Sequence, residues 1–118
     1  MPMYLHQWRY KDQQVKQMLQ TPQDRAEIVR IATEAFGGTL HSFFYCFGDF
    51  DGVAISEYPD NKAAMAALMT IVAQGRILTV RTTPLFSAEE GLQAMLSGNE
   101  ILFKADGEPS QTAYSVAR

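Results

Sequence analysis

Apolar positions along this chain change their spacing several times, and each change marks an element. Residues 3–10 (MYLHQWRY) place Tyr4, His6, Trp8 and Tyr10 on one face and Leu5, Gln7 and Arg9 on the other, the period of a strand. In DQQVKQMLQ the apolar residues Val15, Met18 and Leu19 recur at helical steps, which predicts a short lead-in helix. Thr21-Pro22-Gln23-Asp24 then restarts the helix: Thr21 accepts from an orphan N–H, Pro22 sits where no N–H is needed, and Asp24 offsets the positive end. From about Pro22 the expected inward stripe is Ile28, Ile31, Ala32 and Ala35, and Gly37-Gly38 ends the helix. Residues 39–47 (TLHSFFYCF) and 51–58 (DGVAISEY) read as strands joined by Gly48-Asp49-Phe50. Pro59-Asp60-Asn61 caps an Ala- and Met-rich helix that reaches Gln74 and stops at Gly75. Residues 77–85 (ILTVRTTPL) form a fourth strand, with Pro84 near its end where a missing donor does least harm. Ser87 with Glu90 makes a capping box for a last helix whose apolar side is Leu92, Met95 and Leu96.

The order βαββαβ contains two right-handed crossovers and a central hairpin. It predicts an α+β, ferredoxin-like domain with a four-stranded antiparallel sheet in the order 4-1-3-2 and its helices on one face. The domain is expected over residues 1–98. Residues 99–118 form a C-terminal tail, in which Ile101-Leu102-Phe103 is mixed with Gly, Pro and Ser, that either packs on a partner subunit or stays partly unstructured. Strict alternation on the second strand sets Leu40, Ser42, Phe44 and Cys46 on one face and His41, Phe43, Tyr45 and Phe47 on the other. Both sets are rich in apolar groups, so a second copy covering the bare sheet face is expected, giving a homodimer or a higher oligomer.

Composition narrows the partners. The chain has 118 residues, room for one domain, and carries a net charge of −3 with no concentration of Lys or Arg. A nucleic-acid partner is therefore not expected. The first residues lack the apolar core of a signal peptide, and the longest apolar run, from Ala63 to Ala73, is too short to span a bilayer. The expectation is no membrane partner and a cytoplasmic location. Cys46, the single cysteine, stands among Phe43, Phe44, Tyr45 and Phe47 and reads as a small buried hydrophobe with no activating base near it.

Candidate chemistry centres on the first strand. In a 4-1-3-2 sheet that strand is central, yet it carries His6, Gln7 and Arg9, so something polar must meet them. His6 beside Trp8 is either one wall of a pocket or a hydrogen-bonded histidine with an aromatic neighbour. Arg81, with Thr79 and Thr83 on its face, either offers a positive charge to an anionic ligand or pairs with Glu57 or Asp51. Asp49 and Asp51 are either a carboxylate pair or, more simply, turn formers that bond their own backbone. His41 lies on an edge strand, where half exposure is the plain expectation. Two distant histidines and one cysteine give no metal-ligand spacing, and neither a nucleophile elbow nor a nucleotide-binding loop is present; no metal or cofactor is expected.

The residues that tie these elements together resemble one family. They are Met1-Pro2-x-Tyr4, Asp12-Gln13, Pro22 with Arg25-Ala26-Glu27, Gly37-Gly38, Gly48-Asp49-Phe50-Asp51, Pro59-Asp60 and Val80-Arg81-Thr82-Thr83. In order and spacing over residues 1–90 the chain resembles the GYD-domain proteins, named for a Gly-Tyr-Asp motif. The resemblance implies a ferredoxin-like domain of the dimeric α/β barrel type. Phe50 stands where the family has Tyr, so a phenolic role there is not implied for this chain. Three functions are compatible with the pattern. The first is a non-catalytic protein binding a small apolar or aromatic molecule through Trp8, Phe43, Tyr45 and His41. The second is a cofactor-independent enzyme, monooxygenase- or isomerase-like, acting on a small aromatic or carbonyl compound, with His6 or Asp51 as base and Arg81 stabilising an oxyanion. The third is an assembly module without a pocket.

Overall fold

A bulged hairpin and two crossovers set the geometry of the domain. The structure, a computed structural model, describes residues 1–103, and the chain divides into two compact units at Leu85/Phe86. In chain order the elements are β1 (Met3–Tyr10), α1 (Asp12–Gln20), α2 (Arg25–Ala35), β2 (Thr39–Tyr45), β3 (Gly52–Glu57), α3 (Asn61–Ala73), β4 (Ile77–Leu85) and α4 (Ala88–Leu102). The first unit contains everything through β4. Its strands form one antiparallel sheet in the order β2-β3-β1-β4, which is the expected 4-1-3-2 arrangement read from the other edge.

Helix caps follow local chemistry, with one correction. Asp60 caps α3 by accepting from the Ala63 N–H at 2.8 Å, and Gly75 leaves the helix at φ +74°, a conformation that suits a residue without Cβ. Helix α2 begins later than its Thr-Pro signal suggests. Thr21 instead closes α1, its N–H bonding the Gln17 carbonyl, and Asp24 is the residue whose carboxylate accepts from the Glu27 N–H. An Asp side chain reaches three residues ahead as readily as Thr does, and here the two helices are separate elements joined by four residues. The inward side of α2 also differs from the expected stripe. Thr33 is buried, with its hydroxyl donating to the Val29 carbonyl, whereas Ile31 and Ala35 face outward. On α1 the buried residue is Gln14, while Val15 and Leu19 are exposed. Both helices carry apolar groups over an arc wider than their buried side, so spacing alone leaves the rotation undetermined.

The sheet packs its Tyr4, His6, Trp8 and Tyr10 face under α2 and α3. Tyr4 and Tyr58 meet Ala64 and Ala67 of α3, whose small side chains let the helix approach closely. Trp8, Tyr10 and Ala54 form a second cluster with Met18, Leu40, Phe43, Ile77 and Val80. Antiparallel partners share a face, so Ala54 and Ser56 lie beside His6 and Tyr4, while Val53, Ile55 and Glu57 lie with Leu5, Gln7 and Met3 on the opposite face.

A β-bulge overturns the expected alternation on β2. Leu40 opposes Ser56 and Ser42 opposes Ile55, so the pairing skips His41. One extra residue reverses the facing of everything beyond it. Leu40, Phe43 and Tyr45 therefore share the helix-covered face, and Ser42 and Phe44 share the other. The hairpin is also looser than expected: β2 stops at Tyr45, and Cys46 is exposed rather than buried, its thiol donating to the Phe50 carbonyl at 3.2 Å.

The second unit begins at Phe86. Its helix α4 is opened by the expected capping box, in which Ser87 Oγ accepts from the Glu90 N–H and the Glu90 carboxylate accepts from the Ser87 N–H, both at 3.0 Å. The helix runs through Gly98 to Leu102, past the point where its apolar pattern fades. The rest of the expected C-terminal tail, residues 104–118, lies outside the described residues.

Candidate functional site

His6 is the polar centre of the helix-covered face. Its position on central β1 sets the imidazole between β3 and β4, where Nε2 lies 2.6 Å from Ser56 Oγ and Nδ1 lies 2.9 Å from Thr82 Oγ1. Ser56 is only 1 % exposed, so His6 is the partner that satisfies its hydroxyl. Hydroxyls can donate or accept, and a neutral imidazole does one at each nitrogen, so the chain Ser56–His6–Thr82 closes without charge. Burial pushes the His6 pKa down to about 4. At neutral pH the ring is uncharged and too weakly basic to serve well as a proton acceptor, since a general base works best with a pKa near the working pH.

Above this trio, between the sheet and helices α2 and α3, lies a cavity of about 140 Å³. Val29, Ala32, Leu68, Ile71, Leu40 and Val80 supply most of its apolar wall, with Trp8 and Tyr10 from β1. An apolar cavity of about 150 Å³ is large enough to hold benzene, so the space matches one small ring. Its polar residues are His6, Ser56 and Thr33, the phenol-bearing Tyr10 and Tyr58, and Arg25, Gln74 and Arg76 on helix ends and turns.

Two residues of this wall each have an enclosed nitrogen with no acceptor among the described residues, Trp8 Nε1 and Arg25 Nε. An unpartnered buried donor costs about 1–3 kcal/mol. Gly52, across the β1–β3 pair, leaves the room that the Trp8 indole occupies, for a Cβ on that glycine would clash with the ring. Arg25, the first residue of α2, sets its guanidinium 5.9 Å from the centre of the Tyr10 ring.

The expected site residues are distributed over both faces. Trp8, Phe43 and Tyr45 do form a chain of rings, with centroids 5.4 Å and 5.3 Å apart, although of these three only Trp8 lines the cavity. Tyr45 borders a shallower hollow with Val15, Met18, Leu19 and Arg25. His41 sits in the bulge on the opposite face, its Nε2 2.7 Å from a Glu57 carboxylate oxygen. Arg81 opposes Gln7 while His6 opposes Thr82, so Arg81 and His6 occupy opposite faces and cannot act on one bound molecule. Nor does Arg81 pair with Glu57 or Asp51. Its guanidinium lies 5.6 Å from the Phe50 ring centre, Glu57 is engaged by His41, and the Asp51 carboxylate accepts from the Tyr10 N–H at 2.9 Å. Asp51 thus staples the hairpin to β1, and Arg9 does the same from its Nη1 to the Gly48 and Asp49 carbonyls, both at 3.0 Å. Among the described residues no three His, Cys, Asp or Glu side chains gather closely enough to hold a metal ion. No helix among them is long and apolar enough to cross a membrane.

The sequence model of the GYD domain matches residues 4–95, most of the chain. The chain belongs to the GYD domain family. No curated protein and no solved structure matches it. In this GYD domain Phe50 stacks against Arg81 through its ring face, a contact that needs no phenol, and the following Asp51 does its work through the carboxylate.

Residues that sequence reasoning missed are Ser56, Arg25 and Arg76. Ser56 gives no signal, being one small polar residue in a strand. Arg25 does give one: a cation in the first turn of a helix opposes the helix dipole, so another feature must favour it there.

Proposed function

We infer that this GYD domain binds a small, largely apolar molecule, of the size of a single aromatic ring, in the cavity between its sheet and helices α2 and α3. The observation that carries this reading is the cavity itself, about 140 Å³ with an apolar wall and a neutral hydrogen-bonding histidine at its floor. His6 and Ser56, bonded to each other and, through His6, to Thr82, give the cavity a floor that carries no charge at neutral pH. Catalysis by a His6–Arg81 pair loses its support, because the two side chains lie on opposite faces.

The same reading places a second copy on the sheet face opposite α2 and α3. Phe44 is 63 % exposed there, on the face shared by Leu5, Val53 and Ile55, and a two-fold pairing would bury this patch against itself.

Trp8 is the single tryptophan and lines the cavity, so its fluorescence reports occupancy. Titration with toluene should give a saturable change in emission and raise the melting temperature by mass action. Ala32→Leu, which fills part of the space, should abolish both effects while the protein stays folded. Toluene that leaves emission and melting unchanged up to its solubility limit would remove the basis of the reading.

A further inference from the structure

The cavity is charged in a way the chain as a whole is not. The protein carries a net charge of −3, yet among the described residues no Asp or Glu lines the cavity, and two arginines, Arg25 and Arg76, do. Neither arginine forms an ion pair among the described residues, whereas the Arg30 guanidinium on the same helix as Arg25 is held by both Glu27 and Glu34. The acidic group next to Arg25 in sequence, Asp24, accepts from the Glu27 N–H as the helix cap and does not line the cavity.

Arg25 is also placed to reach in from the edge. It borders both the cavity and the shallower hollow outside it, its Nε is enclosed with no acceptor, and its guanidinium lies over the Tyr10 ring. Arg76, in the turn that leads from α3 into β4, is exposed, with its carbonyl fixed at 3.0 Å by the Lys11 N–H. One end of the cavity is therefore apolar and floored by neutral His6, and the other carries two cations without counter-ions among the described residues. A neutral hydrocarbon would satisfy only the first end.

We propose that the molecule bound in this cavity is a small apolar monoanion, a carboxylate on an aromatic ring or a short branched chain, with the ring or chain against the Val29, Leu68 and Ile71 wall and the carboxylate on Arg25 and Arg76. This rests on the cavity being a binding site and adds the charge of its ligand. Arg25 is the principal recognition group, since it is half-buried at the cavity edge and a planar guanidinium matches a carboxylate. Arg76, more exposed, contributes less.

The test compares toluene with benzoate, two ligands that share the ring and differ in charge, by Trp8 fluorescence and calorimetry at neutral pH. Benzoate should bind about tenfold more tightly than toluene, the equivalent of one charge-assisted hydrogen bond. Arg25→Gln should bring benzoate down to the toluene level and leave toluene unchanged, Arg76→Gln should weaken benzoate by a smaller factor, and added salt should weaken benzoate alone. Melting curves of both variants establish that they are folded, and Arg76→Gln keeps the comparison available if Arg25→Gln does not fold. Toluene binding with no benzoate preference, or a preference that survives both substitutions, overturns the anion assignment and leaves the cavity reading standing. If neither compound binds, the cavity reading fails and the assignment fails with it.

Discussion

At the scale of single residues, His6 is the group whose environment most alters its chemistry. Its pKa is about 4 when folded against about 6.5 when unfolded, because burial disfavours the imidazolium. Between those values the unfolded chain binds a proton that the folded chain refuses, so stability rises with pH through this window. The contribution is complete above the unfolded value and is lost as pH falls toward the folded one. Going from pH 7 to pH 5 should therefore cost about 2 kcal/mol through His6 alone. Urea unfolding of the wild type and of His6→Gln at both pH values measures it: the wild type should lose more stability than the variant by about that amount. Equal losses would show that His6 is not held neutral by burial. The sequence made His6 and Trp8 conspicuous as polar and aromatic neighbours on a central strand. The Ser56 and Thr82 partners were illegible, because they come from residues 50 and 76 positions away.

At the scale of elements, capping separates what local signals determine from what they leave open. Asp60 and Ser87 act where their spacing to the next helix indicates, since each needs only the N–H three residues on. Between Thr21 and Asp24 two such signals compete, and Asp24 wins. Asp24→Ala should therefore destabilise the protein by about 1 kcal/mol, and Thr21→Ala by clearly less, in chemical denaturation. The reverse order would place the start of α2 at Pro22. The β2 bulge is a second case. Alternation read from TLHSFFYCF sets His41 with Phe43 and Tyr45, but the skipped residue moves His41 to the Glu57 side and brings Leu40 into the cavity wall. Only the partner strand shows that one residue is skipped. The rotation of α1 and α2 was hidden for a related reason: each has more apolar side chains than its packed side can bury.

At the scale of the whole molecule, the face opposite α2 and α3 bears on assembly. It combines Phe44, Leu5, Val53 and Ile55 with Gln7, Arg9, Arg81 and the His41–Glu57 pair, a mixture of apolar and polar groups suited to an interface with a polar rim. Light scattering at micromolar concentration should give twice the 13.2 kDa mass of one chain. Phe44→Glu should shift the population toward the single-chain mass, since two buried carboxylates would face each other across a two-fold axis. A single-chain mass for the wild type would refute the pairing. It would leave the cavity reading intact, because every cavity-lining residue belongs to the unit Met1–Leu85 of one chain.

The sequence by itself determined the order of elements, the strand order in the sheet and most helix ends, because periodicity, caps and short connections act between residues a few positions apart and leave few permissible topologies. Tertiary structure alone decided which side of each helix is buried, which residues share a face beyond the bulge, and which cations meet one cavity. Those outcomes depend on contacts between distant segments, and a side chain such as Arg25 comes to border the cavity only when α2 packs against β1.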